Sequence, residues 1–584
     1  MRARRFVTAL LAAWLLACAI MLVVGWQSIQ HAVYPDPDDV LRLQEVRDFV
    51  GGQSWFDVTQ YRMNPPGGAP MHWSRLVDLP IAAVILLARP LLGAAQAEMV
   101  AAVIVPLLTL GVVMLLVALI VRRLIGAEAG LLAALLVPTA PTVLMQIRPL
   151  RVDHHGWQIA LALAAVLATF DDRPRRSGLA GGLLLALWLQ ISLEGLPFSV
   201  AVAGLFAARW LFDPAAETER FRCFILAFAG ASLLLFAATH ELPAWQAVHC
   251  DAISPAQLAV FAVAAIGCVL ATLPLAARRF ASRIAALGLA AIAAAAVYRL
   301  AAPRCGLDAF GELDPLVRTL WYDHVLEGLP LWRQAPDLIV SGIGFPLIAM
   351  AGSWFGWRNA TPETRPLWIN YGALLVAAAI VTLLVQRAGA VANALSVVGA
   401  TALLMPLLVR AQSASSALVR VFGSVLALLA LAPPTLALAY VGVFGAVARP
   451  QDKAPRGEGC STMEHIRLLN SLPPSALLTD IDIAPGVLHE TPHSVVASGH
   501  HRNQAGIRDV LQTFTGGDEE AHAILLRHRI DYIVVCPDLA EMDVYARYAP
   551  DGLWSHLRAG RTPAWLEPVR IAGDSKFAIW KLRR

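Results

Sequence analysis

Arg148-Pro149-Leu150-Arg151-Val152-Asp153-His154-His155-Gly156-Trp157 is a knot of charge set between two long apolar runs, residues 127–146 before it and 158–168 after it. Such runs belong in lipid, so the ten residues lie at a membrane edge, where ionisable groups are costly and are kept for function. Asp153 and His155 stand two positions apart. That spacing lets a carboxylate oxygen and an imidazole nitrogen converge on one divalent ion or one phosphate-bearing ligand. A hydrated loop with incidental polarity is the plain alternative.

Working outward, the 584-residue chain is 58% hydrophobic with a mean hydropathy of +0.61. It is too apolar for a soluble globule and long enough for many spans. The formal charge of +4 is small for this length, which excludes nucleic acid as an indicated partner. Met1-Arg2-Ala3-Arg4-Arg5 precedes an apolar run with no small-residue cleavage site beyond it, so the first segment reads as a retained anchor. Seven cysteines without a Cys-x-x-Cys pair argue against a zinc or thiol-redox site. Cys18, Cys223 and Cys268 fall in apolar spans, whereas Cys250, Cys305, Cys460 and Cys536 fall outside them. Cys250 and Cys305 are able to pair in an oxidising compartment.

Hydropathy, oriented by Lys and Arg, predicts a polytopic α-helical membrane protein of about thirteen spans. They lie at 6–26, 98–120, 127–146, 156–170, 178–192, 196–212, 222–239, 255–276, 283–301, 338–356, 367–385, 389–409 and 419–447. Arg122-Arg123, Arg173 to Arg176, Arg220 to Arg222 and Arg278 to Arg283 then share the cytoplasmic side with the N-terminus. The first external loop covers 27–97, with 79–94 a helix lying in the outer interface, and a second large external loop covers 302–337. The membrane domain is expected over 1–450. Residues 451–584 are more polar and read as a soluble α/β domain on the external, periplasmic side. Strands are predicted at 476–479, 494–497, 531–535 and 577–580, with helices at 461–471 and 519–529. No glycine-rich phosphate fingerprint follows any strand, so no nucleotide site is assigned there.

Charge is concentrated along the external edge. Tyr34-Pro35-Asp36-Pro37-Asp38-Asp39 packs three carboxylates into four positions, which a cation or basic partner would keep charged together. An Asp/Pro turn is the plainer reading. Met71-His72-Trp73-Ser74-Arg75 leads into the interfacial helix, and Trp73 suits a membrane boundary. Glu194 sits in a corner between spans, Glu327 in a polar turn, and Arg387 closes the outer end of a span, placed to meet a phosphate or to snorkel to headgroups. His489, His493, His500 and His501 match no metal spacing and read as surface histidines.

At these residues the chain resembles the GT-C glycosyltransferases, most closely the catalytic subunit of the single-subunit oligosaccharyltransferases of archaea and bacteria. The acidic first loop followed by His72-Trp73 and Asp78 resembles that family's first external loop, where one Asp binds the metal. Asp36, Asp38 and Asp39 all remain open for that place. Asp153-His154-His155 resembles its second acidic motif, which binds the same metal. The resemblance implies Mg²⁺ or Mn²⁺ held by Asp153, His155 and one or both of Asp38 and Asp39. It also implies His72 and Arg387 on the donor phosphate, and Glu327 with the loop acids as catalytic carboxylates. It departs where the family's Trp-Trp-Asp-Tyr-Gly motif would stand: this chain has Leu478-Thr479-Asp480-Ile481-Asp482-Ile483-Ala484-Pro485-Gly486, and His324 replaces the Thr/Ser of the fifth-loop motif.

The implied activity is metal-dependent transfer of a sugar or oligosaccharide from a polyprenyl-(pyro)phosphate donor at the outer face of a bacterial inner membrane. The acceptor is left as protein, lipid or glycan. Two other readings are a metal-independent GT-C transferase using a polyprenyl-monophosphate sugar, and a transporter or flippase. A transporter places its ionisable groups near the bilayer midplane on broken helices, a pattern the sequence does not display.

Overall fold

Backbone N–H and C=O groups in lipid must be satisfied within the chain, so apolar runs become helices. The computed structural model describes residues 3–306, 310–445, 459–573 and 575–583, and its apolar runs are helical from Ala3–Val24 to Thr435–Phe444. Met1, Arg2 and the expected domain boundary at 450/451 lie outside the described residues. Among the described residues, eight helical stretches are long and apolar enough to cross a membrane, and four further apolar helices are shorter. This is a multi-pass membrane protein. The thirteen spans expected from hydropathy include several of the shorter helices.

Two expected spans are broken, both at proline. Residues 127–146 form Ala127–Leu136, a 3₁₀ turn Val137–Thr139, and Pro141–Gln146. The 419–447 run forms Ala417–Leu431 and then Thr435–Phe444, with Pro433-Pro434 between them; residues 446 and 447 lie outside the described residues. Proline lacks the N–H that a continuing helix needs and clashes with the preceding turn. The nearly continuous run 178–212 is two helices, Pro174–Ile191 and Leu196–Phe212, joined by the turn Leu193–Gly195 that carries Glu194.

Helix Gly389–Gln412 is enclosed by its neighbours and carries Arg387 in the 3₁₀ turn just before it. Its seating depends on glycine: a Cβ on Gly399 would stand 2.2 Å from the Ala349 carbonyl oxygen. The interfacial helix starts earlier than expected, at Arg75, capped by the Ser74 hydroxyl. Ile81, Ala82 and Ile85 pack inward, while Leu86, Leu87 and Leu91 stay exposed, an arrangement suited to a lipid surface.

The C-terminal residues build a five-stranded mixed sheet in the order β4-β3-β5-β7-β6. Here β3 is Ala476–Thr479, β4 Ser494–Val495, β5 Tyr532–Val535, β6 Leu566–Val569 and β7 Ala578–Leu582, while the short pair β1 (Thr59–Gln60) and β2 (Ala69–Pro70) lies in the first loop. β3 runs parallel to β4 and β5, and β7 antiparallel to β5 and β6. Edge strand β6 escapes the sequence reading because Glu567 and Pro568 interrupt its apolar pattern.

This sheet domain packs against the first loop. Val40, Leu41, Met63, Met71 and Trp73 of the first loop share one apolar core with Ile483, Leu488, Val495 and Val534. Arg62 donates to the carbonyl oxygens of Leu488, Thr491 and His493, and Asn64 N–H donates to Val495. The four histidines at 489–501 are therefore mostly not at the surface: His489, His493 and His500 are buried against the first loop or the domain's own core, which corrects the sequence reading.

Cys250 is bonded to Cys305, the pair the sequence left open, and Cys460 to Cys536, which spacing alone did not indicate. Peptide mapping without reductant is expected to recover both links and to leave Cys18, Cys223 and Cys268 as thiols; free Cys250 in freshly purified protein would refute the assignment.

Candidate active site

The site begins at the start of helix Pro37–Val50. Asp36 caps it, its carboxylate accepting the Asp38 N–H at 3.0 Å, with Pro37 in the first helical position, where its missing N–H costs nothing. One turn in, Asp39 is 0% exposed and both its oxygens are occupied. Oδ1 accepts the N–H groups of Val152 and Asp153 at 2.9 and 3.0 Å, and Oδ2 meets Arg151 Nη1 at 3.1 Å. Arg151 Nη1 also reaches Asp36 Oδ2 at 2.9 Å. A turn further, the enclosed guanidinium of Arg42 bridges Asp78 at 2.9 Å and Asp153 at 3.2 Å and lies 4.3 Å from the centre of the Trp73 ring. Arg75 closes the group on Asp78 at 3.2 Å. The first loop and the 148–157 stretch are thus joined by buried ion pairs.

On the other side of this lattice lies a cavity of about 1380 Å³. Its deep part is apolar, lined by Trp188, Phe224, Phe228 and Phe261 among the helices. Its upper wall carries Asp38, His72, His154, His155, Glu194, Glu327, Arg387 and His500. Of the three loop acids, only Asp38 lines it. Asp36 and Asp39 face Arg151 instead, and Asp38 and Asp39 diverge because successive helical residues are turned by about 100°.

Asp153, His154 and His155 offer ligand atoms that all lie within 4.8 Å of one another. His154 Nδ1 is 2.6 Å from Asp153 Oδ1. His155 Nδ1 is 3.0 Å from Asp153 Oδ2, yet neither atom has a hydrogen-bond partner, and His155 Nε2 has none either. Carboxylate and imidazole atoms gathered this closely in a buried place form a donor set of the kind a divalent cation takes. Burial acts to raise the Asp153 carboxyl, but His154 and His155 outweigh it and hold that carboxyl well below its ordinary range. Asp38 moves the other way, pushed well up by burial and by Asp36, Asp153 and Glu327, with Arg151 opposing.

Glu327 is central to the remainder. It lies 3.4 Å from Arg387 Nη1, 3.9 Å from His155 Nε2 and 4.0 Å from Arg151 Nη2. Arg387 Nη2 is paired with Glu194. His72 packs 4.5 Å from His501, and burial followed by His501 and Arg502 holds its imidazole well below the usual range. The structure thus brings Asp38, His72, His155, Glu327 and Arg387 to one cavity, sets Asp153 directly behind His154 and His155, and turns Asp36 and Asp39 toward Arg151.

Sequence reasoning missed His500. It is 2% exposed with both ring nitrogens unpartnered, packed edge-on to Trp73 and 3.7 Å from Asp38 Oδ1. A histidine pair flanked by Gly499 and Arg502 carries no periodic signal, and burial comes only from docking on the first loop. Gln158, one turn after His155, was also missed. It donates to Glu194 at 3.2 Å and accepts from Trp188 at 3.0 Å. The Asp480–Gly486 segment follows β3: Asp480 accepts the N–H groups of Ile483 and Cys536, and Glu541 accepts those of Ile481 and Asp482.

No protein-family model matches the chain, and no curated protein matches it in sequence. Solved structures do. Oligosaccharyltransferase AglB of Archaeoglobus fulgidus, in complex with an inhibitory peptide and a dolichol-phosphate, aligns with a TM-score of 0.68 over 93% of this chain and 71% of that one, at 14% identity. The apo form of the A. fulgidus enzyme gives 0.67 over 94% and 72%, at 15% identity. The chain has the oligosaccharyltransferase fold. The A. fulgidus enzyme in complex with Zn and sulfate gives 0.58 over 93% of this chain and 70% of that one, again at 15% identity. The alignment with AglB extends across the membrane helices and into the C-terminal sheet domain, as the coverage requires.

Removing the partner of a buried charge costs roughly 3–5 kcal/mol. Asp39→Ala, which takes from Arg151 its buried carboxylate partner, leaving Asp36, and strands two backbone N–H groups, is expected to lower the thermal transition of the detergent-purified protein sharply or abolish the folded protein. Asp38→Asn, on the cavity wall, is expected to move it little. Equal transitions for the two variants would contradict the division of the loop acids drawn above.

Proposed function

We propose that this chain is a membrane glycosyltransferase moving a sugar or oligosaccharide from a polyprenyl-(pyro)phosphate donor to an acceptor at the outer face of a bacterial inner membrane. One observation carries the reading: a largely apolar chamber is walled at one place by His154 and His155, which gather with Asp153 into a buried ligand cluster, together with Glu327 and Arg387. A lipid-linked donor has that same division, an apolar tail joined to a phosphate. The AglB neighbours, in complexes with a dolichol-phosphate and with Zn and sulfate, support it. Two disulfides, which persist in oxidising compartments, support an external, periplasmic location for the loops and the sheet domain.

In this reading Asp153 and His155 hold a divalent cation, Mg²⁺ or Mn²⁺, with Asp38 as the first-loop carboxylate. When bound, such an ion stabilises negative charge on the departing phosphate. Asp39 serves beneath the site, fixing the backbone of Val152 and Asp153 so that the motif is presented in one conformation. Asp36 does the same for Arg151. Arg387 offers a planar fork of donors to the phosphate oxygens, and His72 and His500 are neutral imidazoles that donate one N–H each. Phe224, Phe228 and Phe261 take the first prenyl units and exclude water, which strengthens every charge interaction above them. Glu327, between Arg387 and His155, orients the acceptor nucleophile. The acceptor is a protein, lipid or glycan; the Asp480–Gly486 segment supplies a different surface from a Trp-Trp-Asp-Tyr-Gly motif.

The test is glycosyl release from radiolabelled lipid-linked donors, extracted from the source membranes, by purified protein in detergent. Turnover with Mn²⁺ or Mg²⁺ is expected to vanish with EDTA and to fall on the order of 100-fold or more in Asp153→Ala and Asp38→Asn. Turnover that survives both EDTA and Asp153→Ala would replace this reading with a metal-independent transferase. A gradient-dependent flux without any chemical product would replace it with a transporter.

A further inference from the structure

Arg387 is the guanidinium expected to meet the donor phosphate, yet both of its terminal nitrogens already meet carboxylates, Nη2 Glu194 and Nη1 Glu327 at 3.4 Å, and only Nε is without a partner. The two acids differ in what else they can do. Glu327 also stands near His155 and Arg151, at 3.9 and 4.0 Å, so it has other positive or donor groups to turn to. Glu194 has Gln158 as its further side-chain partner, through Oε2 at 3.2 Å.

Glu194 is also aimed. The Ser192 hydroxyl accepts its backbone N–H, and Gly195 presses so closely on Trp188 that a Cβ there would stand 2.5 Å from the indole nitrogen. Trp188 donates to the Gln158 amide oxygen, which turns the amide N–H₂ toward Glu194. Gln158 lies three residues after His155, on the same face of helix His155–Ala168. A fixed chain of hydrogen bonds thus holds one carboxylate against Arg387 at the place a phosphate oxygen would take. A phosphate that takes a terminal nitrogen of Arg387 therefore competes with one of these two acids.

We propose that Glu194 is a positioning residue that holds Arg387 in the phosphate's stead, yields it when the donor arrives, and reclaims it as the spent polyprenyl phosphate leaves. The inference rests on the glycosyltransferase reading above. It assigns a role to a residue that touches Arg387 rather than the reacting atoms.

The experiment measures binding of undecaprenyl phosphate to the full-length protein in detergent, alongside donor turnover. Losing a competitor worth a partly exposed ion pair is expected to tighten undecaprenyl phosphate binding about fivefold in Glu194→Gln. Arg387→Gln is expected to weaken it in either background. In turnover, Glu194→Gln is expected to lower KM and kcat together, because product leaves more slowly, a split that a merely structural role does not produce. Gln158→Ala, which removes only the aiming hydrogen bond, is expected to act in the same direction to a smaller degree and serves if Glu194→Gln does not fold. Unchanged or weaker binding in the folded Glu194 and Gln158 variants, with Arg387→Gln still weaker than wild type, overturns the inference and leaves the glycosyltransferase reading standing. No binding by the wild type overturns that reading and the inference with it.

Discussion

The cost of enclosing charge governs this structure. Arg42, Arg75, Arg151, Asp39, Asp78 and Asp153 are nearly or fully removed from solvent, and each is tolerable there only while its partner is present. Arg42 spans Asp78 and Asp153, and Asp39 spans Arg151 and the backbone of the 148–157 stretch. Those pairs fix the first loop to the helix that begins at His155. Buried pairs of this kind seldom add net stability over an apolar core, but they admit only one register, and register is what a ligand cluster needs.

Everything on the upper wall of the cavity inherits that register. With the Asp153 Oδ1 atom occupied by Arg42 and His154, its other oxygen is left beside His155. With Asp39 turned inward, Asp38 is turned outward. The sheet domain then docks on the first loop through shared apolar residues and through Arg62, which brings His500 over Trp73 and next to Asp38. The membrane helices contribute the other wall, Arg387 from the turn before Gly389–Gln412 and Glu194 from the corner at Leu193–Gly195. The two disulfides lie outside the apolar helices, and Asp251, next to Cys250, holds His501 at 2.8 Å and Arg502 at 3.3 Å.

The cavity keeps apolar volume and charged groups adjacent. Aromatic rings line much of the chamber, and charges beside an apolar wall interact more strongly than in water. That is also why Glu194 matters: in such surroundings an uncompensated Arg387 would be costly, and one anion or another must accompany it.

The apolar runs were legible as membrane helices because lipid leaves the backbone no alternative; two of them broke at proline, while Pro106 and Pro406 sit inside continuous helices. The C-terminal domain was legible as α/β from its four apolar strands, while β6 and the helix Ala484–Glu490 were hidden by Pro568, Glu567, Pro485 and Gly486. Asp153 and His155 stood out because charge inside apolar sequence is rare. By itself the sequence determined the membrane class, the α/β domain and the candidate ligands, all properties of local composition and spacing. Which of Asp36, Asp38 and Asp39 faces the cavity, that His500 reaches it, and that Glu194 meets Arg387 from 193 residues away were decided only by tertiary structure. Those facts depend on how helices are rotated and docked, and burial of paired charge, acting between distant segments, sets that rotation.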